Sequence, residues 1–313
     1  MRSIELIEGD CIAGMRTLDS QSAQTCITSP PYFGLRDYNV DGQIGLESTP
    51  AAFVEKLVAV FREVRRVLRD DGTLWVNIGD SYNAHPGQRK VTDTPGAKQA
   101  TSFGSLGAPS RSVDGLKPKD IIGVPWMLAF ALRADGWYLR QDIIWHKPNP
   151  MPESVQDRCT KSHEYIFLLS KSERYYFDSE AIAEPAAYAG QMRGGSTNRY
   201  EQNASGMDSK VYDTRNKRSV WTVKPAKSEV AHFAAYPPEL IEPCVLAGAP
   251  KGGVVLDPFG GTGTTVLAAA KLGRLGVTTE LNPKYCEIIR KRIERYECRE
   301  PGNLFASLET ANV

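Results

Sequence analysis

Val254-Val-Leu-Asp-Pro-Phe-Gly-Gly-Thr-Gly-Thr-Thr265 sets the class of the whole chain. The apolar run Val254 to Asp257 reads as a strand, the glycines as a tight turn, and Thr264 as the start of a helix reaching Leu272. A backbone that a nucleotide-like ligand approaches closely needs residues without side chains at such a turn, and the helix beyond it offers unpaired N–H groups. The dinucleotide fingerprint is absent, because after Gly261 and Gly263 the position of a third glycine is taken by Val266. The Gly-Lys-Ser/Thr ending of a phosphate loop is missing as well, which disfavours pyrophosphate. About 20 residues past Asp257 the next strand ends in Glu280, where a carboxylate in such folds takes a ribose diol through both hydroxyls.

Beyond this turn only one strand and two helices precede Val313, too little to build a sheet covered on both faces. The tail must complete its sheet with strands from the other end of the chain. Strands are expected at Ile4 to Glu8, Thr25 to Thr28, Thr73 to Ile78, Tyr138 to Trp145, Tyr165 to Leu169, Val254 to Asp257 and Leu275 to Thr279. Helical periodicity marks Ala51 to Leu68, Pro118 to Ala134, Pro238 to Ala247, Thr264 to Leu272 and Pro283 to Tyr296. This alternation predicts an α/β fold with a doubly wound, mostly parallel sheet. It places the Gly261 turn beside the loop after Thr28, at a topological switch point.

The 313 residues, 41% hydrophobic and 24% charged, exclude a disordered or collagenous chain and a membrane-spanning one. The opening MRSIELIEGD alternates like a strand and shows no secretory leader, so a cytoplasmic location is expected. Six cysteines form no CxxC pair and only four histidines are present, so neither a metal site nor a disulfide framework is expected. The net charge of +1 hides two basic segments. The first, 81–118, is rich in Gly, Ser, Pro and Thr, carries Arg89, Lys90, Lys98, Arg111 and Lys117, and reads as a mobile insertion. The second, 187–228, sets eight cations, among them Arg199, Arg215, Lys217 and Arg218, against three acids. Tyr188, Tyr200, Tyr212 and Trp221 are interleaved with them, suited either to stacking beside phosphates or to anchoring the loop.

The strand ending at Thr28 runs straight into Ser29-Pro30-Pro31-Tyr32. Two prolines fix φ and remove two donors, leaving carbonyls and the Ser29 hydroxyl as acceptors at a strand's carboxyl end, with the Tyr32 ring beside them. Acceptors for an amino group next to a stacking face suit an extruded nucleobase with an exocyclic NH2.

With this motif preceding Phe259-Gly260-Gly261-Thr262-Gly263, the chain resembles the β-class DNA amino-methyltransferases, the N4-cytosine/N6-adenine family. The likeness extends through Ile4 to Asp10, Gly72 to Ser81, Trp145-His-Lys-Pro-Asn-Pro150 and His232-Phe233. It implies a circularly permuted methyltransferase fold, with one catalytic domain made of residues 1–177 and 229–313 and a target-recognition region at 178–228. By the same resemblance, S-adenosyl-L-methionine lies across Thr28, Asp257, Pro258, Phe259, Gly261, Thr262, Gly263, Thr264 and Asn282. Glu280 then sits on its ribose, Asp10 near its adenine amine and His232 near its methionine end. Asp10 reads equally as the cap of a helix over Cys11 to Leu18, and His232 as a structural histidine.

The implied chemistry is direct transfer: Ser29 Oγ and the Pro30 carbonyl accept from the exocyclic amine while Tyr32 stacks on the base. Serine at the motif's first position leans towards cytosine N4 over adenine N6, although serine and the alternative aspartate can both accept from an amine. The covalent C5-cytosine route needs a Pro-Cys nucleophile, and Pro243-Cys244 lies in an apolar helical stretch that reads as buried. Methylation of RNA or of a protein amide, and a catalytically silent DNA-binding module, are the competing readings. The late cofactor motif and the intact Ser29, Tyr32, Gly261 and Glu280 speak against them. Double-stranded DNA is the implied partner, read mainly between Asp178 and Trp221, with Arg199, Arg215, Lys217 and Arg218 as contact candidates. The resemblance also allows a homodimer and a restriction endonuclease acting on the same site.

Overall fold

The computed structural model describes residues 3–35, 37–83, 113, 115–150, 152–186, 213–226 and 236–298. The N-terminal elements are β1 (Ile4–Glu8), α1 (Cys11–Met15), β2 (Ala23–Thr28), α2 (Pro50–Val67) and β3 (Leu68–Ile78). After them come α3 (Val124–Ala134), β4 (Tyr138–His146), β5 (His163–Ser170) and the short strands β6 (Glu184–Pro185), β7 (Thr214–Arg215) and β8 (Val220–Thr222). The chain closes with α4 (Pro238–Gly248), β9 (Val254–Asp257), α5 (Thr264–Lys271), β10 (Leu275–Glu280) and α6 (Pro283–Glu297).

Eight strands form one sheet in the order β1-β10-β9-β2-β3-β5-β4-β8. The first five are parallel, β5 runs antiparallel to both β3 and β4, and β8 is parallel to β4. The last strands in sequence are thus internal to the sheet: β9 pairs with β2 through Thr25↔Val255 and Cys26↔Leu256, and β10 pairs with β1. This is the permuted, doubly wound arrangement that chain order required.

Alternation along the strands divides the core. Leu74 and Val76 face α2 and α3, packing with Phe53, Leu57, Phe61, Leu128 and Leu132. Ile27, Trp75, Ile166 and Leu168 face the other way, against Leu240, Ile241 and Val245 of α4 and Ala268 and Ala269 of α5. α2 forms where Thr49 accepts from Ala52 N at 3.1 Å, Pro50 opens the first turn, and Phe53, Leu57, Val60, Phe61 and Val64 repeat on one face. All five are fully buried, each contributing about 1.5–3 kcal/mol of transfer free energy.

Several boundaries differ from the sequence expectation, among them the start of β3, which lies at Leu68 and not at Thr73. The helix expected from Pro118 begins at Val124, because Lys119 and Gly123 have positive φ and Asp80 caps the N–H groups of Gly123 and Val124 at 3.0 and 3.3 Å. α1 stops at Met15, short of Leu18. β8 lies inside the second basic segment, where no strand was expected. Most of the first basic segment is outside the described residues. Its two ends are tied by Asn83, whose side chain donates to Leu116 O and accepts from Val113 N. Among the described residues no helix is long and apolar enough to cross a membrane.

Candidate active site

A cleft of about 680 Å³ opens at the carboxyl ends of β1, β2, β9 and β10. That volume lies within the usual range for small-molecule and cofactor sites. Two groups of residues meet there, one from each end of the chain.

The first is the glycine turn. Gly260 is required sterically, since a Cβ there would come 2.5 Å from Thr278 Oγ1. Gly263, with φ +77°, leads into α5 in a left-handed conformation that glycine adopts without strain. Asp257 is buried, and Phe259 N donates to its carboxylate at 3.1 Å, Thr28 Oγ1 at 2.6 Å, and Thr265 Oγ1 to the remaining oxygen. Burial pushes this carboxyl up to about 6 although those donors oppose the shift. Asp257 therefore joins β2 to β9, and Thr28, buried behind it, does not itself line the cleft.

Glu280 faces the cleft from the end of β10. Its Oε2 accepts from Gly261 N at 2.7 Å and its Oε1 from Asn282 N at 2.8 Å. One carboxylate thus holds the turn and the start of α6, each oxygen keeping a lone pair for a ligand hydroxyl. Burial raises it to about 7 against the pull of both N–H groups. Pro258, Phe259, Gly261, Thr262, Thr264 and Asn282 line the same cleft. Gly263 does not line it and acts through the turn. Asp10 also faces the cleft, and its Oδ1 accepts from Ala13 N at 2.8 Å, so it caps α1 as well. His232 is outside the described residues.

The second group is Ser29-Pro30-Pro31-Tyr32, all four lining the same cleft as Glu280. The Tyr32 hydroxyl donates to Glu164 Oε2 at 2.6 Å, and Asn77 Oδ1 lies 3.3 Å from it. Burial, then the Glu164 charge, push the phenol well above its usual range, so it remains a donor. Lys147 pairs with Glu164 Oε1 and sits 4.3 Å over the Trp145 ring. Asn77, Lys147 and Glu164 were not singled out from sequence. Lys147 lay inside the quoted Trp145 to Pro150 motif, whereas nothing in the apolar pattern of β5 marked Glu164. Tyr38 and Tyr285, edge to face with centroids 6.4 Å apart, also line the cleft and were missed.

The second basic segment hangs from a stem. Glu184–Pro185 pairs antiparallel with Thr214–Arg215, and Glu184 gathers Arg218 at 3.0 Å, Arg215 at 3.7 Å and Lys217 at 3.8 Å. Three cations share one acid, leaving an excess of positive charge. Trp221 is buried in the core and donates to Arg218 O at 2.7 Å, so it anchors the segment and is not an exposed stacking face. Arg199, Tyr188, Tyr200 and Tyr212 lie outside the described residues. Past β8 the chain returns to the cleft, where Pro225 and Ala226 line the wall. Cys244 is fully buried and its thiol is pushed far up by desolvation, which removes the nucleophile that covalent chemistry would need.

The comparisons with known proteins agree with this geometry. The DNA methylase model of the N6/N4 methyltransferases matches residues 23–291. The chain is 46% identical over 289 residues to the Type II methyltransferase M.Cfr9I of Citrobacter freundii, covering 92% of this chain and 87% of that one. The PvuII DNA methyltransferase, cytosine-N4-specific, shares the fold with TM-score 0.63 at 16% identity, over 95% of this chain and 92% of that one. A Thermus thermophilus protein solved with S-adenosyl-L-methionine shares it with TM-score 0.57 at 24% identity, over 95% of this chain and 97% of that one. The chain belongs to the N6/N4 DNA methylase family.

Proposed function

We propose that this type II DNA methyltransferase of the N4/N6 class methylates the exocyclic N4 amine of a cytosine extruded from double-stranded DNA. The reading is carried by one juxtaposition: Ser29-Pro30-Pro31-Tyr32 and the Glu280–Gly261 turn line the same cleft. The residues present fit the cofactor. Glu280 accepts from ribose hydroxyls, Phe259 and Pro258 supply apolar contact, and Asp10 offers an acceptor to an adenine amine. When bound, S-adenosyl-L-methionine supplies an electrophilic methyl group on a sulfonium.

Ser29 Oγ and the Pro30 carbonyl accept hydrogen bonds from the two amine N–H groups. This favours a pyramidal nitrogen whose lone pair is free for in-line attack. Because neither acceptor is a base, the proton the amine gives up on methylation leaves to solvent. The Tyr32 ring stacks on the extruded base. No covalent bond to the enzyme forms, consistent with the buried Cys244. The preference for cytosine rests on serine at the motif's first position. Incubation with isotopically labelled S-adenosyl-L-methionine and mixed-sequence duplex DNA, followed by digestion to nucleosides and mass spectrometry, is expected to yield N4-methylcytosine. N6-methyladenine would overturn the serine argument, and unlabelled DNA would overturn the function.

The segment 178–228 is the proposed target reader, with Arg215, Lys217 and Arg218 meeting phosphates beside the cleft, and a restriction endonuclease reading the same site is the proposed counterpart. Substituting all three cations with glutamine should weaken DNA binding and flatten its salt dependence. Each lost phosphate contact lowers the log–log slope by about 0.9. Because Glu184 already neutralises part of the cluster, a total change between about 0.9 and about 2.7 is expected. An unchanged slope assigns these side chains to the stem alone.

A further inference from the structure

The Tyr32 ring is fixed from several sides by groups that do not themselves belong to the catalytic motif. Its hydroxyl donates to Glu164 Oε2 at 2.6 Å. Asn77 Nδ2 lies 3.3 Å from the same oxygen and also donates to Tyr165 O at 3.2 Å. The other carboxylate oxygen is paired with Lys147, whose side chain is 20% exposed against 15% for Glu164. Beneath the ring is Gly79, where a Cβ would stand 2.8 Å from Tyr32 Cε2 and 3.4 Å from the Glu164 carboxyl carbon.

These groups come from rigid elements. Glu164 faces Trp145 across the β4–β5 ladder, and Asn77 faces Ile166 across β3–β5. The carboxylate is therefore placed by sheet register, whereas Tyr32 sits on the loop after β2. A tyrosine on a loop has side-chain torsions that a bond at its hydroxyl end can fix. Stacking needs the ring plane held before the base arrives, because ordering it during binding costs free energy that would otherwise favour the productive pose. A part-buried carboxylate aimed at a hydroxyl is held better beside a cation, and Lys147 supplies one.

We propose that Glu164 is a positioning residue that acts through Tyr32, holding the ring at a fixed tilt as the stacking face of the target-base pocket, with Lys147 and Asn77 keeping the carboxylate in place. This rests on the reading of Tyr32 as the stacking residue.

The test is a double-substitution cycle on the single-turnover methyl-transfer rate with saturating cofactor and DNA, joined to calorimetric measurement of S-adenosyl-L-methionine affinity. Glu164→Gln should slow transfer about tenfold. Tyr32→Phe, which keeps the ring and removes the hydroxyl, should slow it to the same degree, and the double substitution should be no slower than either. Cofactor affinity should stay within about twofold throughout. Glu164→Asp keeps the charge for Lys147 but shortens the reach, and should slow transfer like Glu164→Gln, which serves if the glutamine form does not fold. Additive effects of Glu164→Gln and Tyr32→Phe, or a parallel loss of cofactor affinity, overturn the positioning role and leave methylation standing. Undiminished transfer by Tyr32→Ala overturns the stacking role on which it rests.

Discussion

A Ser29→Ala enzyme will bind S-adenosyl-L-methionine as tightly as the parent and transfer its methyl group at least about a hundredfold more slowly. That is the scale on which one hydrogen-bonding group aimed at the reacting centre counts. Ser29 lines the cleft immediately after β2, between two groups with other duties. Thr28 before it is bonded to Asp257, and Pro30 after it offers only a carbonyl. Removing one oxygen from Ser29 leaves Asp257, Glu280 and the glycine turn untouched, so the cofactor wall survives. What is lost is the acceptor that orients the amine, and with it the alignment of the nitrogen lone pair. Equilibrium binding of cofactor and single-turnover transfer, measured on one preparation, separate the two effects. A Ser29→Ala variant of parental rate would remove serine from the chemistry and transfer the acceptor role to the Pro30 carbonyl.

The sequence made this half of the site legible because its physics is local. Prolines that remove donors and a strand that ends at Thr28 are visible without tertiary information. The junction of the two halves was legible by a different route: a tail too short to cover its own sheet had to pair with the N-terminal strands. The observed β2–β9 and β1–β10 pairings are that junction. Asp257 shows where local reading stops. It lines the cleft, as its place before the glycine turn suggests, and its oxygens also accept from Thr28, Phe259 N and Thr265, partners that no spacing rule brings together.

Glu164 was illegible for a related reason. It stands in an apolar strand pattern, and its partners Tyr32, Asn77 and Lys147 come from the loop after β2, from β3 and from the end of β4. Only sheet register assembles them. The start of α3 follows the same logic: periodicity extends back to Pro118, but the Asp80 carboxylate at the end of β3 decides which N–H groups open the helix. Contacts between elements distant in sequence thus set both the missed boundary and the missed residues. Turn chemistry and strand ends gave the rest.

Glu280 carries the second large effect, and it is a pH effect. Burial raises its carboxyl to about 7, with the Asp257 charge adding to the shift. On the proposed ribose contact, hydroxyls would donate to the ionised carboxylate and the sulfonium charge would favour it, so cofactor binding would draw the proton off and lower the pKa in the complex. A ligand that prefers the deprotonated form binds tightest above the free-site pKa and loses affinity below it. The dissociation constant should therefore be flat above about pH 7 and rise below it, approaching tenfold per pH unit. Calorimetry in buffers of different ionisation heat should register proton release in the acidic limb only. Glu280→Gln should weaken binding about a hundredfold, the cost of roughly two charge-assisted hydrogen bonds. It should also flatten the pH profile, while kcat at saturating cofactor stays near the parental value because the carboxylate does not touch the methyl group. Asp257, raised to about 6 and tied to Thr28, Thr265 and Phe259 N, supplies the contrast. If the acidic limb persists in Glu280→Gln, the proton belongs to the Asp257 junction and the ribose contact is refuted; if it vanishes, Glu280 is the group that reads the cofactor.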